Sequence, residues 1–206
     1  MKYIETIRLY NGRFHLLELH QLRMAATIRE VYGNNIAVPD IKDTLGIIAD
    51  IPSDGIYKCR IVYDKEIHDI ELQPYTPRDV RSLKVVEAPV GLDYHLKSCD
   101  RTALSSLASL KGECDEVIIL KEGLITDTSY TNLIFHSNEG LYTPRTPLLK
   151  GVMRSHLLNN GVIQETDIRP EDIHPDNGLG ITEVSLINAM LPLGFGPIIP
   201  IRDICF

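Results

Sequence analysis

Residues 115–154 constrain the fold more than any other stretch. They read DEVIILKEGLITDTSYTNLIFHSNEGLYTPRTPLLKGVMR. Two apolar runs, 117–120 and 133–135, are too short for helices and suit buried strands. Between them lie a polar turn with Gly123 and a patch made of Thr126, Asp127, Thr128, Ser129, Thr131 and Asn132. Beyond the second run come a turn at Gly140, the pair Thr143 and Pro144, and an amphipathic run opening at Gly151. A carboxylate and hydroxyls held between two strands, followed by a helix N-terminus, make a pattern able to bind a small molecule that carries a phosphate.

The rest of the chain continues the mixture. Residues 2–10 suit a strand, Asn11 and Gly12 signal a hairpin turn, and residues 13–17 read as the returning strand. Leu22, Ala25, Ala26, Ile28 and Val31 fall near helical spacing and predict a helix over 19–32, closed by Gly33. A shorter helix is expected over 40–49, then strands over 56–63 and 67–72. Pro74 and Pro77 mark a linker, because proline suits neither helix nor sheet interior. Further strands are expected over 82–88, 162–166, 180–185 and 198–201. Helices are expected before Gly112 and over 151–160. The pattern is α/β (α+β), with a small domain over 1–73, a linker over 74–79 and a larger domain over 80–206.

Composition narrows the function. With 21 basic and 28 acidic residues the net charge is -7, and no basic run offers a nucleic-acid face. Cys59, Cys99, Cys114 and Cys205 form no C-x-x-C pair and do not combine with histidines at metal-ligand spacing, so no metal site is expected. The N-terminus carries charge where a signal peptide needs an apolar core, and no apolar run approaches membrane-spanning length. These features lead us to expect a reduced, soluble, cytoplasmic protein.

One ordered series of short motifs is informative. It runs Ile4-Glu5-Thr6-Ile7-Arg8, Asn11-Gly12, His20-x-x-Arg23, Lys97-x-x-x-Arg101, T-D-T-S-Y-T-N-L-I-F, L-L-K-G-V-M-R and Asn188-Ala189-Met190-Leu191-Pro192. In order and spacing this series resembles the class IV aminotransferases, the pyridoxal-phosphate enzymes of the branched-chain and D-amino-acid aminotransferase fold. Within them the Lys97 context, Thr6 and the Asn188 motif resemble the 4-amino-4-deoxychorismate lyases most. Two departures stand out. Asp127 occupies a position where members usually have glutamate, and a Gly-Asp-Gly turn that usually precedes the first strand has no counterpart in this sequence.

The resemblance implies a two-domain fold with pyridoxal 5'-phosphate in the cleft, and a homodimer. It implies Lys97 as the Schiff-base lysine and general base, because a desolvated lysine has a lowered amine pKa. Asp127 would keep the pyridine nitrogen protonated. Gly151, Val152 and Met153 would hold the phosphate through backbone N–H groups at a helix start. Asn188 and Ala189 would add a second loop of donors, and Arg23 a planar cationic fork. Asn132 would brace the turn around Asp127. Arg8, His95 and Arg101 would meet a substrate carboxylate, Glu5 would line the pocket, and Thr6 would assist proton delivery.

Three activities are compatible with these residues. The first is a lyase giving 4-aminobenzoate and pyruvate from 4-amino-4-deoxychorismate. The second is amino transfer between a branched-chain or D-amino acid and a 2-oxo acid. The third is a non-catalytic protein that keeps the fold.

Overall fold

A computed structural model describes residues 1–174 and 180–206. Its contacts divide the chain into two units. One comprises Met1–Thr76 with Leu96–Asp100, and the other Pro77–His95 with Arg101–Phe206.

The first unit contains β1 (Tyr3–Tyr10), β2 (Arg13–Phe14), α1 (Leu17–Tyr32), α2 (Ile41–Leu45), β3 (Ile56–Tyr63) and β4 (Ile67–Pro74). They form an antiparallel sheet of order β2-β1-β3-β4. The hairpin signal is realised: Asn11 (φ 48°) and Gly12 (φ 74°) both take positive φ, as a two-residue turn matching strand twist requires. The returning strand is shorter than expected. Leu16 takes a left-handed conformation (φ 57°) that swings the chain into α1 two residues before the expected start.

The face that α1 buries also differs from the apolar pattern. Leu22 and Val31 are exposed, whereas His20, Met24, Ala25, Thr27 and Ile28 are buried. The polar His20 and Thr27 occupy inward positions, so apolar spacing alone misplaces the stripe. Met24 and Ile28 pack on Tyr3, Ile7, Cys59, Ile61 and Tyr63, one face of the sheet. Each such fully buried apolar side chain contributes roughly 1.5–3 kcal/mol. Sheet pairing reaches Pro74, and Tyr75 N–H donates to Ile56 O at 2.9 Å. Proline is tolerated there because β4 is an edge strand.

Leu96–Asp100 lies inside the stretch that the sequence places in the larger domain, yet it belongs to the first unit. Ile4 N–H donates to Lys97 O at 3.0 Å, Cys99 N–H donates to Lys2 O at 2.9 Å, and Tyr3 bridges Ser98. Pairing between residues so far apart in sequence leaves no local signal.

The second unit contains β5 (Leu83–Glu87), α3 (Thr102–Ala108), β6 (Glu116–Lys121), β7 (Leu124–Ile125), β8 (Asn132–Ser137), β9 (Gly140–Pro144), α4 (Val152–Asn159), β10 (Gln164–Thr166), β11 (Ile181–Ile187), β12 (Ile198–Pro200) and β13 (Ile204–Cys205). Among the described residues they form two sheets, of order β13-β5-β6-β7 and β10-β9-β8-β11-β12. Ile118, Ile125 and Leu83 of the first pack with Leu133, Phe135, Val184, Leu186 and Ile199 of the second. On the other face of β6, Val117 and Ile119 pack with Leu104 and Leu107 of α3. β6 is thus covered on both sides, which is why its sequence is an unbroken apolar run. Strands β7, β9 and β13 have no counterpart among the sequence expectations. β7 and β13 are two residues long, and β9 is half-polar and bounded by Gly140 and Pro144.

Candidate active site

In the second unit, Asp127 follows β7 and Asn132 opens β8, so two strands set the spacing of this pair. The backbone of Asp127 is fixed by its carbonyl, which accepts Ile119 N–H at 2.8 Å. Its side chain is buried, at 5% exposure. Asn132 Nδ2 donates to Asp127 Oδ1 at 2.8 Å and to Leu149 O at 2.8 Å, while Leu149 N–H donates to Asp127 Oδ2 at 2.9 Å. Burial pushes the Asp127 carboxyl up to about 7, against the Leu149 N–H, the Asn132 amide and the charge of Arg154, which all act to lower it.

The same contacts locate the start of α4. Gly151 lies so close to Asn132 that a Cβ there would come within 2.0 Å of Asn132 Oδ1. Gly151 caps α4 without any side-chain hydrogen bond. The first N–H groups of a helix have no acceptor within it, and Val152, Met153 and Arg154 are buried. A buried, uncapped N-terminus carrying a partial positive charge therefore sits next to a buried carboxylate.

The hydroxyl patch is committed to its own turn. Thr126 Oγ1 donates to Ile119 O at 2.7 Å. Thr128 Oγ1 accepts Tyr130 N–H at 3.2 Å and Thr131 N–H at 2.9 Å, and lies 2.7 Å from Thr131 Oγ1. Ser129 Oγ donates to Glu116 Oε2 at 3.0 Å. The expectation that these hydroxyls face a ligand is corrected: they hold the loop that presents Asp127.

The expected second loop of donors is also largely self-satisfied. Asn188 Oδ1 accepts Met190 N–H at 2.8 Å and Leu191 N–H at 3.1 Å, and the Asn188 N–H donates to Leu191 O at 3.1 Å. Among the described residues, no hydrogen-bond acceptor is seen for the Ala189 N–H of this turn. Arg101 Nη2 donates to Ser129 O at 2.7 Å, next to the Asp127 loop. His95 is exposed and pairs with Asp93 at 2.6 Å.

In the first unit the organising group is Glu5, fully buried on β1. Arg23 Nε donates to its Oε1 at 2.9 Å and Arg23 Nη2 to its Oε2 at 2.5 Å. His20 Nδ1 lies 2.5 Å from the same Oε2. Burial alone would raise the Glu5 carboxyl, but Arg23 and His20 outweigh it and bring it down to about 2. Burial lowers the His20 pKa, with Glu5 opposing and the charges of Arg23 and Lys97 assisting. We therefore read His20 as neutral, donating through Nδ1 to an ionised Glu5.

The reading of Glu5 as pocket lining is replaced by a role in orienting Arg23. The sequence signal for the cluster was His20-x-x-Arg23, which places both side chains on one face of α1. Lys97 is half-buried, its carbonyl tied to Ile4 on the same strand as Glu5. Thr6 and Arg8 lie on the opposite face of β1. Arg8 is buried, at 9% exposure, with its guanidinium carbon 4.5 Å from the centre of the Tyr10 ring.

Comparison with known proteins places these features. The family described as amino-transferase class IV matches residues 2–198. An uncharacterized protein of Haemophilus influenzae is 35% identical over 187 residues, covering 90% of this chain and 96% of its own. A crystal structure from Haemophilus somnus, provisionally assigned as a 4-amino-4-deoxychorismate lyase, is 34% identical with a TM-score of 0.83, covering 93% of this chain and 97% of its own. A protein from Mesorhizobium loti, provisionally assigned as an amino-acid aminotransferase, shares the fold at 23% identity and a TM-score of 0.71, covering 97% of both chains. With the match spanning nearly its whole length, this chain belongs to the class IV aminotransferase family of enzymes.

Proposed function

We propose that the chain is a lyase that uses pyridoxal 5'-phosphate to convert 4-amino-4-deoxychorismate into 4-aminobenzoate and pyruvate. The observation that carries this reading is the buried, uncapped N-terminus of α4, bound through Asn132 to the buried Asp127. The two features call for opposite partners. The helix start favours an anion such as a phosphate. The carboxylate, kept from ionising freely by burial, favours a cation such as a protonated ring nitrogen. Both Asp127 oxygens accept bonds from the residues around them, and a carboxylate, with about four lone-pair sites, can accept more. Pyridoxal phosphate carries both required groups, so the residues fit it.

Val152 and Met153 would hold the phosphate through their N–H groups, with Ala189 N–H adding a donor. Arg23, its plane fixed by Glu5, would add positive charge. Asp127 would hold the ring nitrogen in its protonated form, and Asn132 would keep Asp127 oriented. When bound, the cofactor supplies an electron sink for negative charge developing on the carbon that bears the substrate amine. Lys97 would be the residue that holds the cofactor and the base that takes the proton from that carbon. Thr6 would deliver a proton to the departing pyruvate fragment, and aromatisation of the ring drives the elimination. The family resemblance supports a homodimer acting on a small carboxylate, and the cysteine pattern and charged N-terminus support a cytoplasmic one.

Incubating the cofactor-loaded protein with 4-amino-4-deoxychorismate should release pyruvate and 4-aminobenzoate in equal amounts. Amino transfer from branched-chain or D-amino acids to 2-oxo acids, with no pyruvate released from the chorismate derivative, would replace this reading with the aminotransferase one. Absence of both activities would favour a non-catalytic member of the family.

A further inference from the structure

The four cysteines of the chain are free thiols, and two of them meet in the second unit. The register of the sheet β13-β5-β6-β7 brings them together. Ile204 stands opposite Leu83, and Cys205 opposite Lys84. Cross-strand partners share a face, and successive residues of a strand face opposite ways. Ile204 and Leu83 face the core between the two sheets of this unit. Cys205 and Lys84 therefore face the other way, on the side where Val86 packs with Leu104 and Leu107 of α3.

The turn that leads into β6 crosses that same side. Cys114 N–H donates to Lys111 O at 3.1 Å, and Asp115 N–H donates to Ser82 O at 3.2 Å. A Cβ on Gly112 would lie 4.0 Å from Lys84 Nζ, so the Lys84 side chain reaches this turn. Cys114 thus stands over the face that carries Cys205. Its thiol is within hydrogen-bonding reach of the Cys205 thiol and of the Ser82 hydroxyl.

The two thiols differ in access. Cys205 is exposed, whereas Cys114 is buried at 9% exposure. Burial and the neighbouring Cys205 push the Cys114 thiol up, against the Ser82 hydroxyl and the charge of Lys84. Such a thiol is a poor first target for an oxidant dissolved in water. It is well placed to resolve an oxidised neighbour. β13 is an edge strand of two residues, so a small local shift brings the sulfurs to bonding distance.

We propose that Cys114 and Cys205 form a reversible redox site, in which hydrogen peroxide oxidises Cys205 and Cys114 then closes a disulfide with it. In the first step the Cys205 sulfur attacks the peroxide and the O–O bond breaks. The sulfur becomes a sulfenic acid and one water leaves. In the second step the Cys114 sulfur attacks the Cys205 sulfur. The S–S bond forms, the S–O bond breaks and a second water leaves. The two thiols together lose two electrons and two protons, and the peroxide takes up both. A dithiol reductant reverses the change. The bridge closes a loop that runs from the start of β6 to β13 and contains Asp127, Asn132 and α4. Closing so long a loop constrains the unfolded chain and stabilises the second unit. The site does not depend on which reaction the enzyme catalyses.

The test treats fully reduced, full-length protein with a small excess of hydrogen peroxide. Remaining thiols are blocked, and the protein is digested without reductant for mass spectrometry. We expect a peptide pair joining Cys114 to Cys205, which dithiothreitol separates. Oxidised wild type should unfold at a Tm about 5–10 °C above that of the reduced protein. Cys205→Ser should form no cross-link at Cys114 and show no rise in Tm on oxidation. Cys114→Ser should hold Cys205 as a sulfenic acid that dimedone traps, which tests the order of the two steps. The wild-type peptide map decides the pairing without any variant. Cys205 linked to a different cysteine or to a second chain, Cys205 carried to a sulfinic acid with no cross-link, or both thiols left free would overturn the proposal.

Discussion

Asn132 and Gly151 are in such close contact that no side chain fits between them: a Cβ on Gly151 would lie 2.0 Å from Asn132 Oδ1. Through Asn132 this contact ties the start of α4 to Asp127. Gly151→Ala would force Asn132 away from both Asp127 and Leu149 O. We expect a loss of about 2–4 kcal/mol in stability, from overpacking and from buried polar groups left unsatisfied. Urea unfolding measures it. Affinity for pyridoxal phosphate should fall more in Gly151→Ala than in an equally destabilised variant remote from α4.

Asp127 makes a signed prediction for the cofactor-free protein. Its carboxyl stands near 7 in the folded chain and about 3.9 in an unfolded one. Between those values the folded state holds more protons, so this group makes stability fall as pH rises. The full contribution is about 4 kcal/mol at most. His20, lowered by burial, acts in the opposite direction below its ordinary range. The measurement is therefore the difference between wild type and Asp127→Asn in unfolding free energy from pH 4 to 8. That difference should shift steadily against wild type with rising pH. A flat difference would show that Asp127 ionises normally.

Glu5 predicts the opposite limb. Its folded value near 2 lies below the unfolded value of about 4.3. Its stabilisation is present above about 4.3 and is lost as pH falls through 2. Glu5→Ala removes the shared acceptor of Arg23 and His20 and should cost about 3–5 kcal/mol near pH 7. Glu5→Gln, which keeps the shape and one acceptor oxygen, should cost about 1–3 kcal/mol there and less near pH 2.5. Chemical denaturation at both pH values checks the pair. An equal cost of Glu5→Gln at both would mean that the carboxylate charge is not what holds Arg23.

Most of the strand and helix pattern was legible in the sequence because it depends on local periodicity. The unbroken apolar run of β6 announced a strand covered on both faces, and Asn11-Gly12 announced its turn. The site was legible in part. The motifs singled out Asp127, Asn132 and Gly151 and led us to expect Asn132 beside Asp127, but the contact between Asn132 and Gly151 had no sequence signal. That the threonines beside Asp127 serve the backbone, and that Asn188 caps its own turn, are matters of side-chain direction, which composition does not encode. The return of Leu96–Asp100 to β1 was hidden for another reason. It depends on pairing between distant residues.

The most direct measurement is to mix the protein with pyridoxal phosphate, reduce with borohydride, and map the modified peptide by mass spectrometry. We expect a phosphopyridoxyl group fixed on Lys97 and none in Lys97→Ala, together with loss of visible absorbance in that variant. Attachment at another lysine in wild type, or no attachment at all, would contradict the assignment of Lys97 and the cofactor chemistry built on it.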